Sequence, residues 1–391
     1  MSMFFSQQPA NGSMNGSMNG SNGSAPTADT AAANGFPGYA GGLSNALLNY
    51  GLNLSRENTV SPAQTVPGAF GSKTAKPTPI DAWGKGDNLP PSDVGDYLAR
   101  WDPATRFYLL ITEMVSGLEF NVEGPKFTLS CRDAAGASKV VLEMTRPPRP
   151  LFDAQMAKVF SRASERNDRT AEILTQVQPQ FAYWSAICNL HPSRTSWTIE
   201  LTTAVLHFSM LICQRIKHAL ACPRPIEYSA LVQPIILTPA YGTFPMGHAT
   251  EAYMFAGIMK VILGKAGNAL DQSGTAEQLA LIARRISDNR VIAGVHFPID
   301  APGGFVLADA LCAYLRARLD GSTATGRGFD GAALPADWDA DPMLACSRPK
   351  EPGAIAWNTD PYTPPKSKIL RYMRQRAEAE FLYPAETGAI K

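Results

Sequence analysis

Apolar side chains recur at three- and four-residue spacing through most of the chain's second half, the signature of helices with one buried face. The pattern predicts helices over Asp153–Ala163, Arg169–Val177, Phe181–Cys188, Ser196–Ala219, His248–Leu263, Ala276–Ile292 and Ile299–Leu319. A late helix is expected near Ser367–Phe381, ending before Pro384. Further upstream, SDVGDYLARWD from Ser92 reads as a capped helix that opens the ordered structure. Lys126–Cys131 and Lys139–Met144, on either side of DAAGAS, read as one small β-hairpin. The expected fold is therefore all-α, a helical bundle with one small hairpin within 126–144.

Outside these windows the pattern fails. Residues 1–40 include NGSMNGSMNGSNGS, which has too little apolar surface to offset its ordering entropy, and are expected to be disordered. Residues 41–91, rich in Pro, Gly and Thr, read as an extended surface segment with a short helical turn at Leu43–Leu54. A helical catalytic domain is expected over 92–320, followed by a Pro- and Gly-rich segment, 321–391, carrying one helix.

Composition narrows the classes. Of 391 residues, 45% are hydrophobic and 18% charged, enough apolar content for a large core. A net charge of +1, from 35 basic and 34 acidic side chains, argues against a nucleic-acid or anionic-membrane binder. The six cysteines show no C-x-x-C spacing, so buried free thiols are expected rather than a zinc or redox site. The start, MSMFFSQQPANGS, lacks a basic and an apolar region, and no signal peptide is expected. Ala204–Cys213 and Ala252–Gly264 fall short of the ~20 residues of a membrane span, so no membrane and, by default, a cytoplasmic location are expected.

Anion affinity must then be local, and three segments supply it. In the first, a long helix delivers Lys217, and Pro223 and Pro225 stiffen the chain on either side of Arg224. In the second, Phe244-Pro245-Met246-Gly247-His248 opens a helix whose first amides can bind an anion. Gly247 allows close approach there, and His248 can exchange a proton. In the third, Arg290 offers a fork of donors, while Gly294 and Pro298 set His296 at a helix junction. Asp300, or a backbone carbonyl instead, is placed to orient that imidazole. Alone, each segment would also suit an ordinary helix end. Together they surround one anion with donors, and each cation within ~4 Å of a charged oxygen contributes on the order of 4 kcal/mol before desolvation.

The order K-x₆-R-P, P-x-G-H, R-x₅-H-x₃-D resembles the vanadium-dependent haloperoxidases and their relatives, the acid phosphatases of the type 2 phosphatidic acid phosphatase superfamily. The resemblance covers about Ser196–Leu319. It implies that Lys217, Arg224, Met246, Gly247, His248 and Arg290 hold orthovanadate, with His248 as acid and base, Lys217, Arg290 and Asp300 as its catalytic partners, and His296 as the ligand to vanadium. The activity implied is oxidation of halide, bromide or iodide before chloride, by hydrogen peroxide to halogenate a small organic acceptor. A homodimer or higher homo-oligomer is also implied. In a phosphatase of the family His296 would instead be the nucleophile on phosphorus. A third alternative is a vanadate-free binder or rearrangement catalyst. Met246 stands where the family usually has Ser, Asn289 where Ser often precedes the motif Arg, and Tyr241 where members place a residue that tunes halide oxidation. The Ser hydroxyl lost at Met246 removes one donor to the anion, worth roughly 1.5–3 kcal/mol.

Overall fold

The computed structural model describes residues 50, 98–177, 180–264, 274–333 and 355–382. The segments expected to be disordered or extended, 1–40 and 41–91, lie outside these residues. So do the expected helix start at Ser92 and Cys346.

Helix α1 spans Pro103–Val115; Pro103 occupies its first turn, and the Asp102 carboxylate accepts the Thr105 N–H at 2.9 Å. Three strands follow: β1 (Leu118–Glu123), β2 (Lys126–Arg132) and β3 (Ser138–Thr145). Then come α2 (Arg149–Ser161), α3 (Arg166–Thr175), α4 (Phe181–Cys188) and the 25-residue α5 (Ser196–Leu220). Beyond them lie α6 (Gly247–Leu263), α7 (Thr275–Ile292) and α8 (Asp300–Asp320). Strands β4 (Ala324–Asp330) and β5 (Ile355–Tyr362) and helix α9 (Lys368–Ala379) complete the described chain.

These elements correct the all-α expectation. The hairpin is part of a five-stranded sheet in the order β1-β2-β3-β4-β5, so the fold is α/β. Neighbours are antiparallel except β3 and β4, which run parallel with Leu142 opposite Arg327 and Thr145 opposite Asp330. Two of the added strands come from the segment read as a Pro- and Gly-rich tail. Strand β4, ATGRGFD, carries two glycines and no run of branched residues, so its strand character comes from pairing with β3 and packing on α8.

The core lies where α6 packs against α5, α7 and α8, while α8 also covers β3 and β4. Helix α5 is buried along nearly its whole length. The stretch Ser196–Tyr228, which begins with α5 and runs past its end, is long and apolar enough by length and composition to cross a membrane, which corrects the expectation that no apolar segment reaches that length. Of its most apolar window, 72% is buried inside the protein's own core, as for a core helix. The described cysteines, Cys131, Cys188, Cys213, Cys222 and Cys312, are free thiols, all but Cys312 fully buried.

Helices α6 and α8 cross closely because Gly304 carries no side chain. A Cβ there would lie 2.6 Å from the Met246 carbonyl and 2.8 Å from the Ala249 side chain. Gly304→Ala should therefore cost about 1–3 kcal/mol, read as a lower denaturation midpoint at unchanged slope.

Candidate oxyanion site

All three motifs converge at one place. Helix α5 ends at Leu220, with Ala221 in the left-handed region at φ 46°. The helix therefore stops before Arg224, whose own backbone is extended, so Lys217 reaches the site from a helix and Arg224 from the segment beyond it. Both are 2% exposed, and Arg290 is wholly buried.

The Lys217 ammonium donates to the carbonyls of Gly242 at 2.8 Å and Thr243 at 2.7 Å. An ammonium has three donors, so one remains for a ligand. Burial, reinforced by the charge of Arg224, brings Lys217 down to about 7. Arg224 is stretched between the motifs: Nε donates to the Tyr241 carbonyl at 2.9 Å, and Nη1 to the Val295 carbonyl at 2.7 Å. The Tyr241 ring lies beneath both cations, 5.4 Å from Lys217 Nζ and 5.2 Å from the Arg224 guanidinium carbon.

Arg224 Nη1 also lies 2.9 Å from His296 Nε2. A guanidinium can only donate, so Nε2 carries the lone pair and the ring proton sits on Nδ1. That proton is received by Asp300 Oδ2 at 2.8 Å. The same oxygen accepts the Thr243 hydroxyl and the Phe297 N–H at 2.9 Å. His296 is thus a neutral imidazole with its lone pair turned towards the cations. Burial and the charges of Arg224 and Lys217 hold it well below its usual range. Burial raises Asp300 to about 6, against the pull of the Thr243 hydroxyl and the Lys217 charge.

Helix α6 begins at Gly247, and its N-cap Met246 supplies no side-chain cap, so the first-turn amides lack partners within the helix. The Met246 side chain is fully buried, and its N–H donates to the Asp300 carbonyl at 2.9 Å, tying the second motif to the third. His248 Nε2 donates to the Gln176 carbonyl at 3.1 Å, and burial followed by Arg290 holds His248 well below its usual range. Arg290 Nη2 donates to the Ile173 carbonyl at 2.9 Å and to Gln176 Oε1 at 3.3 Å. Its Nε and Nη1 are buried with no partner among the described residues, and burial brings the guanidinium down to about 10.

The structure therefore places Lys217, Arg224, Met246, Gly247, His248, Arg290, His296 and Asp300 about one centre, and leaves the choice of what orients His296 to Asp300. Thr243 and Gln176 escaped the sequence reading. Thr243 had a weak signal, lying just ahead of the second motif, but Gln176 had none. Among the described residues no group of three His, Cys, Asp or Glu could hold a metal cation. Three buried cations with unspent donors call for an acceptor of several lone pairs. A tetrahedral oxyanion, phosphate or vanadate, fits them.

Anion binding should depend on pH through Lys217. Its depressed pKa means that the unfolded chain holds this proton up to about 10.5 while the free folded protein releases it near 7. Stability of the anion-free protein therefore rises with pH across that window. A bound dianion favours the ammonium, so affinity runs the other way. Sulfate, whose own charge is constant near neutrality, should bind more weakly as pH rises above about 7. Lys217→Met should flatten that decline in calorimetric titrations.

No family model matches the chain, and neither does any curated protein. Among solved structures, the chain is similar to the first transmembrane PAP2 type phosphatidylglycerolphosphate phosphatase from Bacillus subtilis. Identity is 18%, over 56% of this chain and 92% of that one, with a TM-score of 0.33. A likeness this distant says nothing of what the chain binds or catalyses.

Proposed function

We propose that the chain is an enzyme acting on a tetrahedral phosphate-type oxyanion, and that phosphoester hydrolysis through His296 is its activity. The observation that carries this reading is the tautomer of His296: proton on Nδ1 against Asp300, lone pair on Nε2 turned into a cluster of buried cations. Lys217, Arg224, Arg290 and the first amides of α6 would hold the phosphoryl oxygens and offset the charge that builds on them. His296 Nε2 would attack phosphorus as the ester oxygen departs, and that oxygen takes a proton from His248. Anion charge in the cage favours this role, because it raises the His248 pKa that burial and Arg290 depress. Water then cleaves the phosphorus–nitrogen bond, returning its proton to His248 and neutral imidazole to His296.

A second reading, vanadate-dependent haloperoxidase, is favoured by Tyr241, whose ring lies against Lys217 and Arg224 at the position the resemblance ties to halide oxidation. The same cations would hold vanadate oxygens and His296 Nε2 the metal, which would supply Lewis-acid activation of hydrogen peroxide. Two assays separate these readings. Turnover of p-nitrophenyl phosphate, with acid-labile phosphate trapped on His296, supports hydrolysis. Vanadate-dependent bromination of a phenol dye by peroxide, without ester turnover, overturns it in favour of the haloperoxidase. Failure of both leaves the vanadate-free binder or rearrangement catalyst.

A further inference from the structure

We infer that Gln176, just beyond the end of α3, is a further ligand-binding residue of the oxyanion cradle, donating its side-chain N–H₂ to the bound anion. The inference rests on the oxyanion reading above and adds a residue that none of the three motifs contains.

The orientation of the amide is fixed by its neighbours. Asn289 Oδ1 accepts from Arg169 at 3.3 Å, and Asn289 Nδ2 donates to the Glu172 carboxylate at 3.1 Å. A guanidinium on one side and a carboxylate on the other settle which end of Asn289 is which. Asn289 Nδ2 then meets Gln176 at 2.9 Å, and Arg290 Nη2 meets the same atom at 3.3 Å. Both partners donate, so that atom is Oε1. Nε2 must be the opposite end.

Gln176 is fully buried, and among the described residues its Nε2 has no partner. Its backbone carbonyl holds His248, and its amide oxygen holds Arg290. The residue thus bridges the second and third motifs with its N–H₂ unspent. Arg290 Nε and Nη1 are buried and unpaired as well. These are three donor atoms on two touching side chains, with no acceptor among them. Leaving buried donors unsatisfied is costly. One polyvalent acceptor shared between the two side chains would answer all three, as phosphate or vanadate does.

A purely structural role for Gln176, as a spacer that positions Arg290 and His248, makes a different prediction. Gln176→Glu separates the two, because carboxylate oxygens still accept from Asn289 and Arg290 while the N–H₂ is replaced by charge. Inorganic phosphate binding to the full chain, measured by calorimetry, should weaken at least tenfold in Gln176→Glu, and by less in Gln176→Leu. The melting temperature of Gln176→Glu without phosphate should stay near that of the wild type. Unchanged phosphate affinity in a folded Gln176→Glu overturns the inference and leaves the oxyanion reading standing. No phosphate binding by the wild type overturns both. If the variants fail to fold, the wild-type side-chain amide resonances of Gln176 decide, since they must shift when phosphate is added. Resonances that stay in place overturn it.

Discussion

His296→Ala should lower turnover of p-nitrophenyl phosphate by about 10⁴-fold or more, with no compensating change in KM. The size follows from the role. Once Nε2 is gone, the imidazole lone pair facing Arg224 goes with it, and the guanidiniums of Arg224 and Arg290 can only donate. The remaining cage can hold an anion but has no atom with which to attack it. The fold should tolerate the change. Asp300 keeps the Thr243 hydroxyl and the Phe297 N–H, so its carboxylate is not stranded when the imidazole leaves. Circular dichroism and a melting curve close to wild type would show this. Turnover within tenfold of wild type in such a folded variant sinks the histidine mechanism.

Arg290→Met should raise the melting temperature of the anion-free protein while removing most of its affinity for phosphate. Arg290 is wholly buried, its Nε and Nη1 have no partner, and burial depresses its pKa to about 10. A charge so placed destabilises the empty protein, and an apolar side chain of similar volume removes its desolvation penalty. The variant gives up the two carbonyl-type acceptors that Arg290 Nη2 satisfies, at Ile173 and Gln176, which trims that gain. Phosphate titrations followed by thermal melting read both effects at once. The wild type should gain stability with phosphate, and the variant should begin higher and stay flat. A variant that melts lower than wild type and still responds to phosphate would contradict this account of Arg290.

The helices were legible because each has a buried face that repeats at helical spacing. Predicted and observed limits for Phe181–Cys188 coincide, and those for α5, α6, α7 and α8 differ by a residue or so. The sheet was legible only in part. Strand β2 alternates clearly and β3 follows it across a short turn as an apolar run, whereas β4 acquires its conformation from a partner almost two hundred residues earlier. Leu118–Glu123, with Leu, Phe and Val at alternate positions, carried a strand signal that the reading passed over. At the site, the charged and imidazole residues stood out because cations and histidines beside Pro and Gly are uncommon in a core. Gln176 did not, since an isolated glutamine at a helix end announces nothing until its neighbours are known. Its meaning comes from Asn289 and Arg290, more than a hundred positions away.

The parallel pairing of β3 with β4 has a consequence for how the chain is made. While the ribosome is still adding the helices, β3 is an open edge, a row of unpaired backbone groups on Ser138–Thr145. It stays open until Ala324–Asp330 has emerged, after every motif of the oxyanion cradle has left the tunnel. A nascent chain stalled or cleaved before that point would hold the whole cradle and a bare strand together. Such fragments would pair through β3 with one another, so the last strands act as a seal on a domain already built.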